Sequence, residues 1–148
     1  MTILRNFERS DAPALRAASY PEKSVTEVED LINEWSVRQF NGKYSEKLAV
    51  LRDGVLVGTM FLYQHTTEVI SIGPEIFPAY RKRGIGREAL SKACDFARSK
   101  GFKIVSQQIR VDNVASIALH ASLGFETNGL TYISRKGSEV AFYLKSLL

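Results

Sequence analysis

Cysteine and histidine are scarce in this sequence of 148 residues, which holds one cysteine, Cys94, and two histidines. A single cysteine cannot form an internal disulfide, so we expect a reducing, cytoplasmic setting and place Cys94 in the core. No ligand spacing supports a metal site. No apolar run approaches the roughly 20 residues of a membrane helix, and the charged N-terminus does not resemble a signal peptide. These absences favour a cytoplasmic protein without a metal ion.

Linkers, internal repeats and low-complexity stretches are also missing, so residues 1–148 are predicted to form a single domain. Hydrophobic residues make up 45% of the chain and charged residues 24%, which is enough apolar material for a core. The net charge of +4 is concentrated, because Arg81, Lys82, Arg83 and Arg87 lie within seven residues. A compact basic cluster beside glycines suits a small phosphate ligand better than a long nucleic acid duplex.

The hydrophobic pattern changes period several times along the chain. The predicted elements are a strand at 2–7, helices after Ser10 and Ser24, strands at 48–51, 55–63 and 68–77, a helix at 84–100, a strand at 103–111, a helix at 114–123, and strands at 125–134 and 139–147. The order β-α-α-β-β-β-α-β-α-β-β predicts an α/β (α+β) domain built around one sheet. Gly73-Pro74 interrupts the fourth strand, which predicts a bulge or a strand end facing a ligand.

The segment Arg81-Lys82-Arg83-Gly84-Ile85-Gly86 joins the fourth strand to the third helix. The N–H groups of a first helical turn point outward, and the helix dipole favours an anion there. Two glycines remove side chains that would block a phosphate. The segment is neither a Walker loop nor a dinucleotide fingerprint. By itself it is equally compatible with a helix start whose basic side chains are solvated.

Two segments resemble signatures of the GNAT superfamily of acetyl-CoA-dependent N-acetyltransferases. The loop at 81–86 is similar to the Arg/Gln-x-x-Gly-x-Gly/Ala signature, and Pro78-Ala79-Tyr80 precedes it as in many members. The segment 113–125, which starts 32 residues after Arg81, is similar to Asn-x-x-Ser-x-x-Leu-Tyr-x-x-Leu-Gly-Phe, with His120 at the tyrosine. The order of elements matches along nearly the whole chain. The resemblance implies a GNAT-like domain with a central, mixed, mostly antiparallel sheet whose fourth and fifth strands splay apart.

The resemblance also implies acetyl-CoA as the cosubstrate, without a metal. Backbone groups at the end of the fourth strand would bind the pantetheine arm, backbone N–H groups of 82–87 would hold the pyrophosphate, and the start of the fourth helix would face the cofactor. The cofactor-binding residues so implied are Ile76, Phe77, Arg81, Lys82, Arg83, Gly84, Ile85, Gly86, Arg87, Asn113 and Ser116. The N–H of Ile76 is a further expectation, as the donor to the thioester oxygen.

His120 occupies the position at which many relatives carry the tyrosine that protonates the leaving thiolate. Asn113, Ser116 and His120 are spaced at i, i+3 and i+7, so they can share one helix face. Histidine has an unperturbed pKa of about 6.5 and can protonate a thiolate. We therefore expect His120 to be the leaving-group acid, with simple packing between helix and sheet as the alternative.

The general base is less clearly defined by the resemblance. The branch that acetylates protein N-termini carries a glutamate where this chain has Gln108, and Ser71 stands in the commonest acidic position of the fourth strand. Glu75, on the same strand face as Ser71, is the predicted base, and Glu68 or a water chain is the alternative. A solvated turn carboxylate accounts for Glu75 equally well. His65 is expected in an exposed loop.

The expected activity is direct transfer of an acetyl group from acetyl-CoA to an amine, with a small molecule as the acceptor. His120 favours small molecules, and Gln108 argues against the branch that acetylates N-termini. A protein N-terminus or lysine remains an alternative, as does a non-catalytic acyl-CoA sensor; a nucleic-acid-binding domain is least favoured, and no membrane partner is expected. Dimers are common in the family, which leaves a homodimer open. The aromatic residues around the first two helices, Tyr20, Trp35, Phe40 and Tyr44, are expected to line an apolar pocket on the acceptor side, and core packing explains Trp35 equally well.

Overall fold

A computed structural model describes all 148 residues, which form one sheet with helices on both faces. The strands are β1 (Thr2–Asn6), β2 (Gln39–Phe40), β3 (Lys43–Arg52), β4 (Val55–Gln64), β5 (Val69–Ile76), β6 (Ile104–Arg110), β7 (Tyr132–Ile133) and β8 (Glu139–Ser146). The α-helices are α1 (Ala12–Ser19), α2 (Val25–Trp35), α3 (Ile85–Ser99) and α4 (Val114–Ser122), and short 3-10 turns span Arg9–Asp11 and Pro78–Tyr80. None of the helices combines the length and hydrophobicity needed to cross a bilayer.

The sheet has the strand order β1-β3-β4-β5-β6-β8-β7, and β2 pairs with β3 outside this path. All neighbours are antiparallel except β5 and β6, which are parallel. A parallel pair requires a crossover connection, and α3 supplies it. The predicted fold class, an α/β domain around a mixed and mostly antiparallel sheet, is confirmed.

Strands β5 and β6 separate soon after they begin. They share only the pairs Val69–Ile104 and Ile70–Val105, whereas β5 pairs with β4 along its whole length. Strand β6 meanwhile follows β8 up to Arg110. The gap between β5 and β6 therefore widens toward the C-terminal end of β5, and the predicted splayed pair is confirmed.

Successive side chains of β3 pack into two separate hydrophobic cores, one on each face of the sheet. Leu48 and Val50 pack with α3 on one face, whereas Ala49 and Leu51 pack with α1 and α2 on the other. Successive side chains of a strand point to opposite faces, so one strand serves both cores. Cys94 lies on the buried stripe of α3, where burial raises the pKa of its thiol to about 11. The prediction of Cys94 as a core residue is confirmed.

Two predicted strands have different bounds in the structure. Strand β3 begins at Lys43 rather than at residue 48, because Asn41-Gly42 forms a tight turn with positive φ at both residues and pairs β2 with β3. The predicted strand at 125–134 is wrong except at β7 and at one bridge from Glu126 to Leu144. Its middle is a turn with Gly129 at a φ of 79°, which a continuous strand does not accommodate.

Candidate active site

A cleft of about 680 Å³ lies beside the N-termini of α3 and α4, where β5 and β6 part. Eleven of the thirteen residues predicted for the site line this cofactor-side cleft: Glu75, Ile76, Arg81, Lys82, Gly84, Ile85, Gly86, Arg87, Asn113, Ser116 and His120. They come from β5, from the loop before α3 and from α4. The start of α4 is thus brought against a strand end and a loop that lie at least 26 residues earlier in the sequence, on one concave surface as expected of a ligand site.

The free edge of β5 presents backbone groups to the gap. Phe77 donates its N–H to the carbonyl of Val57. In an antiparallel ladder every second residue bonds to the partner strand, so the backbone N–H and C=O groups of the residues in between, Ile76 and Pro74, point away from β4 where they are present. Pro74 has no N–H, and the ladder loses no hydrogen bond because the nitrogen of Pro74 faces away from β4. Of the two alternatives predicted at Gly73-Pro74, the bulge is wrong, because pairing with β4 continues through both residues, whereas both do line the cleft near the end of β5. The N–H and C=O of Ile76 face the cleft.

Phe77 and Arg83 are the two predicted cofactor residues that do not line the cleft. The N–H of Phe77 is bonded to Val57, its carbonyl accepts from the N–H of Tyr80, and its ring is buried in the core under α1 and α2. The guanidinium of Arg83 lies 5.7 Å from the centre of the Tyr80 ring. The resemblance implied both residues through their backbone groups; strand alternation turns those of Phe77 away from the cleft, whereas only the side chain of Arg83 lies elsewhere and its N–H has no partner in the protein.

The start of α3 carries backbone N–H groups with no partner in the protein. None of the N–H groups from Lys82 to Arg87 has an acceptor, and no side chain caps the helix. Gly84 at the N-cap has a φ of 77°, a backbone conformation that favours glycine. The side chains of Arg81 and Arg87 add positive charge to the cleft wall. An open helix N-terminus with free N–H groups and neighbouring cations fits a pyrophosphate.

Two arginines also join the walls of this cleft. Arg81 donates from Nε to the carbonyl of Ile76 at 2.8 Å, so the loop holds the free edge of β5. Arg87 donates from Nε to the hydroxyl of Ser122 at 3.3 Å and so connects α3 with α4. Both guanidiniums are exposed, so they can exchange these bonds for an anionic ligand.

The start of α4 is fixed by its own cap. Asn113 accepts the N–H of Ser116 at 3.1 Å through Oδ1, which leaves the two donor hydrogens on Nδ2 free. Asn113, Ser116 and His120 all line the cleft, so the predicted common helix face is confirmed. Sequence spacing was sufficient here because a helix repeats every 3.6 residues.

His120 is only 2% exposed and has one unpaired nitrogen. Its Nδ1 lies 2.7 Å from the carbonyl of Ser116, which assigns the ring proton to Nδ1 because a carbonyl only accepts. Nε2 has no partner and is the single such atom among the buried side-chain nitrogens and oxygens. Burial lowers the pKa of His120, and the bond to Ser116 opposes this only in part. The ring is therefore neutral at pH 7, with a free acceptor on a residue of the cleft.

The two predicted carboxylates lie in different places. Glu75 is exposed, lines the cofactor-side cleft and forms no hydrogen bond or ion pair. Tyr20 lies near it, and the pKa of Tyr20 is raised by burial and then by the charge of Glu75. Glu68 lines neither cleft and instead pairs with Lys103 at 3.3 Å. The structure thus brings Glu75 to the site and leaves Glu68 outside it.

A second cleft of about 720 Å³ lies on the opposite face of the sheet, the face that also carries α1 and α2. This acceptor-side cleft shares Phe61 and Gln107 with the first, so the two clefts meet at the gap. Gln108, which stands where one branch of the family carries a glutamate, lines it together with Ser71 and His65. Sequence analysis gave His65 no role, because nothing in the local pattern indicated a contact with Ser71.

The aromatic residues around the first helices do not line either cleft. Trp35 packs on Phe7 with ring centres 5.2 Å apart, and Tyr44 stacks on Phe102 at 6.4 Å. Phe40 contacts Tyr63 at 6.4 Å. The acceptor pocket expected of these residues is therefore not found at either cleft, and the packing alternative predicted for Trp35 describes it.

Residues 4–125 match the sequence model of the acetyltransferase (GNAT) family. N-alpha-acetyltransferase RimI of Mycobacterium tuberculosis is 46% identical over 63 residues, which are 43% of this chain and 37% of that protein. The matched stretch thus spans little more than a third of that relative. The ribosomal protein bS18-alanine N-acetyltransferase of Escherichia coli K12 is 24% identical over 133 residues, which are 84% of this chain and 81% of that protein.

The fold is similar to that of solved acetyltransferase structures. The protein yncA of Salmonella typhimurium, a putative acetyltransferase solved with acetyl-CoA, superposes with a TM-score of 0.73 at 20% identity. The superposition covers 100% of this chain and 95% of that one. At this level of identity the likeness establishes the fold.

Proposed function

This chain belongs to the acetyltransferase (GNAT) family, and from that premise we propose that it transfers the acetyl group of acetyl-CoA to the amine of a small molecule. The match, which spans residues 4–125, confirms the resemblance stated from the two sequence segments. It also confirms, at the level of the family, the enzyme class and acetyl-CoA as cosubstrate. The acceptor and the role of each residue belong to the proposal.

The meeting of the two clefts at the gap between β5 and β6 is the observation that carries the proposal. Phe61 and Gln107 line both clefts, so a cosubstrate on one face of the sheet and an amine on the other come into contact through the gap. Holding two reactants in this way removes most of the entropic barrier to their reaction. Acetyl-CoA supplies an acyl thioester, so the protein needs no covalent step of its own.

The cofactor-side cleft offers a separate group for each part of acetyl-CoA. The free N–H groups from Lys82 to Arg87 would hold the pyrophosphate, with Arg81 adding charge. The backbone of Ile76 would bind the pantetheine arm or the thioester oxygen after Arg81 releases its carbonyl. Nδ2 of Asn113 and the hydroxyl of Ser116 face the cleft as further polar contacts. Glu75 stays a predicted base in this cleft.

Nε2 of His120 is an unpaired acceptor that is shielded from solvent, on a ring packed edge-on against Phe125, and it would meet a donor on the cosubstrate after the ring turns toward the cleft. The role of leaving-group acid remains a prediction for this residue. That role requires a proton on Nε2, whereas the neutral ring carries its proton on Nδ1. Protonation of the ring must therefore precede any donation to the thiolate.

A small acceptor is supported by the acceptor-side cleft. Its volume of about 720 Å³ falls in the range of small-molecule sites. Phe61, Tyr63 and Phe142 supply apolar lining, Lys47 supplies a cation, and no carboxylate is present. A polyamine would find no partner for its charges, so an acceptor with an apolar part and a neutral or negative substituent fits better.

A protein α-amine is the second candidate, because RimI and the bS18-alanine enzyme are named for that activity. The test is release of CoA thiol against a panel of amines that contains amino acid amides, arylalkylamines, polyamines and peptides with N-terminal alanine. Turnover of the arylalkylamines or amino acid derivatives is expected. Turnover of peptides alone would establish the second candidate, and tight acetyl-CoA binding without turnover on any amine would identify a sensor.

A further inference from the structure

We propose that His65 and Ser71 form a proton relay on the acceptor side, in which His65 takes up the proton that the acceptor ammonium loses. The inference rests on the proposed function and assigns the base that the family resemblance left open. It differs from the sequence expectation, which placed the base at Glu75.

The relay lies at the apex of the gap. The hydroxyl of Ser71 donates to the carbonyl of Ser106 at 2.5 Å, one residue beyond the last ladder pair of β5 and β6. The same hydroxyl is 2.6 Å from Nε2 of His65. A hydroxyl has one hydrogen and cannot donate to both partners at once. When Ser71 donates to Ser106, its oxygen can accept from a proton on Nε2; when the His65 ring carries its proton on Nδ1, the hydroxyl can instead rotate and donate to Nε2, and that tautomer is the one the relay uses.

His65 is held in place from three strands. The carbonyl of His65 accepts a hydrogen bond from Nζ of Lys43 in β3 at 2.7 Å. The ring packs edge-on against Tyr63 of β4 at 5.3 Å between centres, and Nε2 contacts Ser71 of β5. A ring fixed in this way keeps Nε2 aligned with the hydroxyl. Such alignment is what proton transfer requires.

No other group of this cleft suits the task. An alkyl ammonium with a pKa of about 10.4 must lose a proton before it can attack. Besides His65, the lining residues with ionisable side chains are Lys47 of β3 and Tyr63 of β4, an amine and a phenol rather than an imidazole. β6 contributes only Ser106, Gln107 and Gln108. Glu75 shares the strand face of Ser71 but does not line this cleft, so within its lining His65 is the group with the right chemistry.

The electrostatic surroundings keep His65 ready to accept a proton. Burial lowers the pKa of His65, and the positive charge of Lys43 lowers it further. The ring is therefore neutral at pH 7. His65 is also among the exposed residues, so the proton it receives can pass to bulk water between turnovers.

The step balances as follows in atoms and charge. An N–H bond of the acceptor ammonium breaks as its proton moves to Oγ of Ser71, and the hydroxyl proton of Ser71 moves to Nε2 of His65. The products are a neutral amine, an unchanged serine and an imidazolium. Ser71 lies two residues before Gly73, about 7 Å along the strand, so the proton of an amine held beside Gly73 reaches the hydroxyl through a short chain of waters.

The test compares pH profiles of kcat/KM for His65→Gln and the native protein, with benzylamine as the alkyl amine and phenylhydrazine as a nucleophile that is neutral at pH 7. Glutamine keeps a polar amide near the position of Nε2 but takes up no proton. The native protein should show a plateau from pH 7 to 9 with benzylamine. In His65→Gln the rate at pH 7 should fall about 100-fold and then rise about tenfold per pH unit, because only the free amine reacts. Phenylhydrazine should react at nearly equal rates in both proteins.

Lys43→Met is the companion variant, because it keeps the imidazole and Ser71 and removes a neighbouring charge together with the hydrogen bond to the carbonyl of His65. Loss of that cation should raise the pKa of His65. The midpoint of the His65 ring signals in an NMR titration of the protein without ligand should move to higher pH, and the acid limb of the benzylamine profile should move with it. An acid limb that stays fixed while the NMR midpoint moves would overturn the relay.

The remaining outcomes separate this inference from the proposed function. A native protein without turnover on any amine would refute the proposed function, and the relay with it. Native turnover combined with an unchanged benzylamine plateau in His65→Gln would refute the relay alone. Loss of the plateau in Glu75→Gln but not in His65→Gln would assign the base to Glu75.

Discussion

At the scale of single residues, His120 shows how burial limits the chemistry that a sequence motif suggests. The motif position predicts a leaving-group acid, but the buried ring is neutral and its proton is bonded to Ser116. Burial removes the water that would otherwise stabilise the charged imidazolium, so a deeply buried histidine is harder to protonate. A group whose folded pKa lies below 6.5 holds a proton on Nε2 only at pH values below that pKa. At pH 7 the ring is an acceptor.

His120→Phe should therefore weaken acetyl-CoA binding about fivefold, the effect of one lost hydrogen bond, and lower kcat by less than that. Calorimetry gives the dissociation constant, and steady-state kinetics from pH 5.5 to 9 gives kcat. His120→Gln, which keeps an acceptor, is the control and should lie closer to the native protein. A fall of two orders of magnitude in kcat with unchanged affinity would instead establish the leaving-group acid.

The residues that sequence analysis found and those that it missed differ in how they come together. Asn113, Ser116 and His120 lie on one helix, where spacing alone fixes their common face. His65 reaches Ser71 across a turn in which the N–H groups of His65 and Thr66 both bond to the carbonyl of Val69. No period in the sequence encodes that contact. It depends on a turn geometry that only the folded chain reveals.

At the scale of elements, alternation and turn chemistry explain both the successes and the errors. The sequence predicted correctly that α2 follows Ser24, and the structure adds a capping box between Ser24 and Glu27. The β2–β3 hairpin was missed although Asn41-Gly42 is a turn signal. The break expected at Gly73-Pro74 does not occur, because the missing N–H of Pro74 falls on the free edge. Rules based on residue propensity penalise every proline in a strand, whether its nitrogen faces a neighbouring strand or the free edge of the sheet.

Gly73 controls the wall between the two clefts through its partner in β4, Phe61. A Cβ on Gly73 would lie 2.0 Å from Cε1 of Phe61, so Gly73→Ala must displace that ring. Phe61 is 42% exposed and can swing away at a cost of about 1 kcal/mol in unfolding free energy. The moved ring should obstruct the gap and lower kcat/KM for the acceptor about tenfold.

Phe61→Ala and the double variant complete a mutant cycle for this contact. If the effect of Gly73→Ala acts through the ring, adding it to Phe61→Ala should change neither stability nor kcat/KM further. Chemical denaturation and steady-state kinetics measure the two quantities. Additive effects would show that Gly73 matters for its backbone and not for the space it leaves to Phe61.

At the scale of the whole molecule, ligand binding and folding are linked through the start of α3. A ligand that binds only the folded state at 100 times its dissociation constant adds about 2.7 kcal/mol to the unfolding free energy. For a domain of this size that corresponds to a rise of about 8 °C in Tm. Acetyl-CoA should produce such a rise, because the free N–H groups from Lys82 to Arg87 exist only after α3 and its loop have folded.

Gly86→Glu should abolish that rise without destabilising the unliganded protein. The nearest atoms to a Cβ at Gly86 are 3.6 Å and 3.8 Å away, on Ile76 and Leu119, so a side chain fits. A carboxylate in the first turn of a helix is stabilised by the dipole, and Tm without ligand should stay level or increase. That carboxylate would occupy the place of the pyrophosphate and repel it. Gly86→Ala, which adds only the Cβ, should keep the ligand-induced rise; an equal rise in Gly86→Glu would place the pyrophosphate elsewhere.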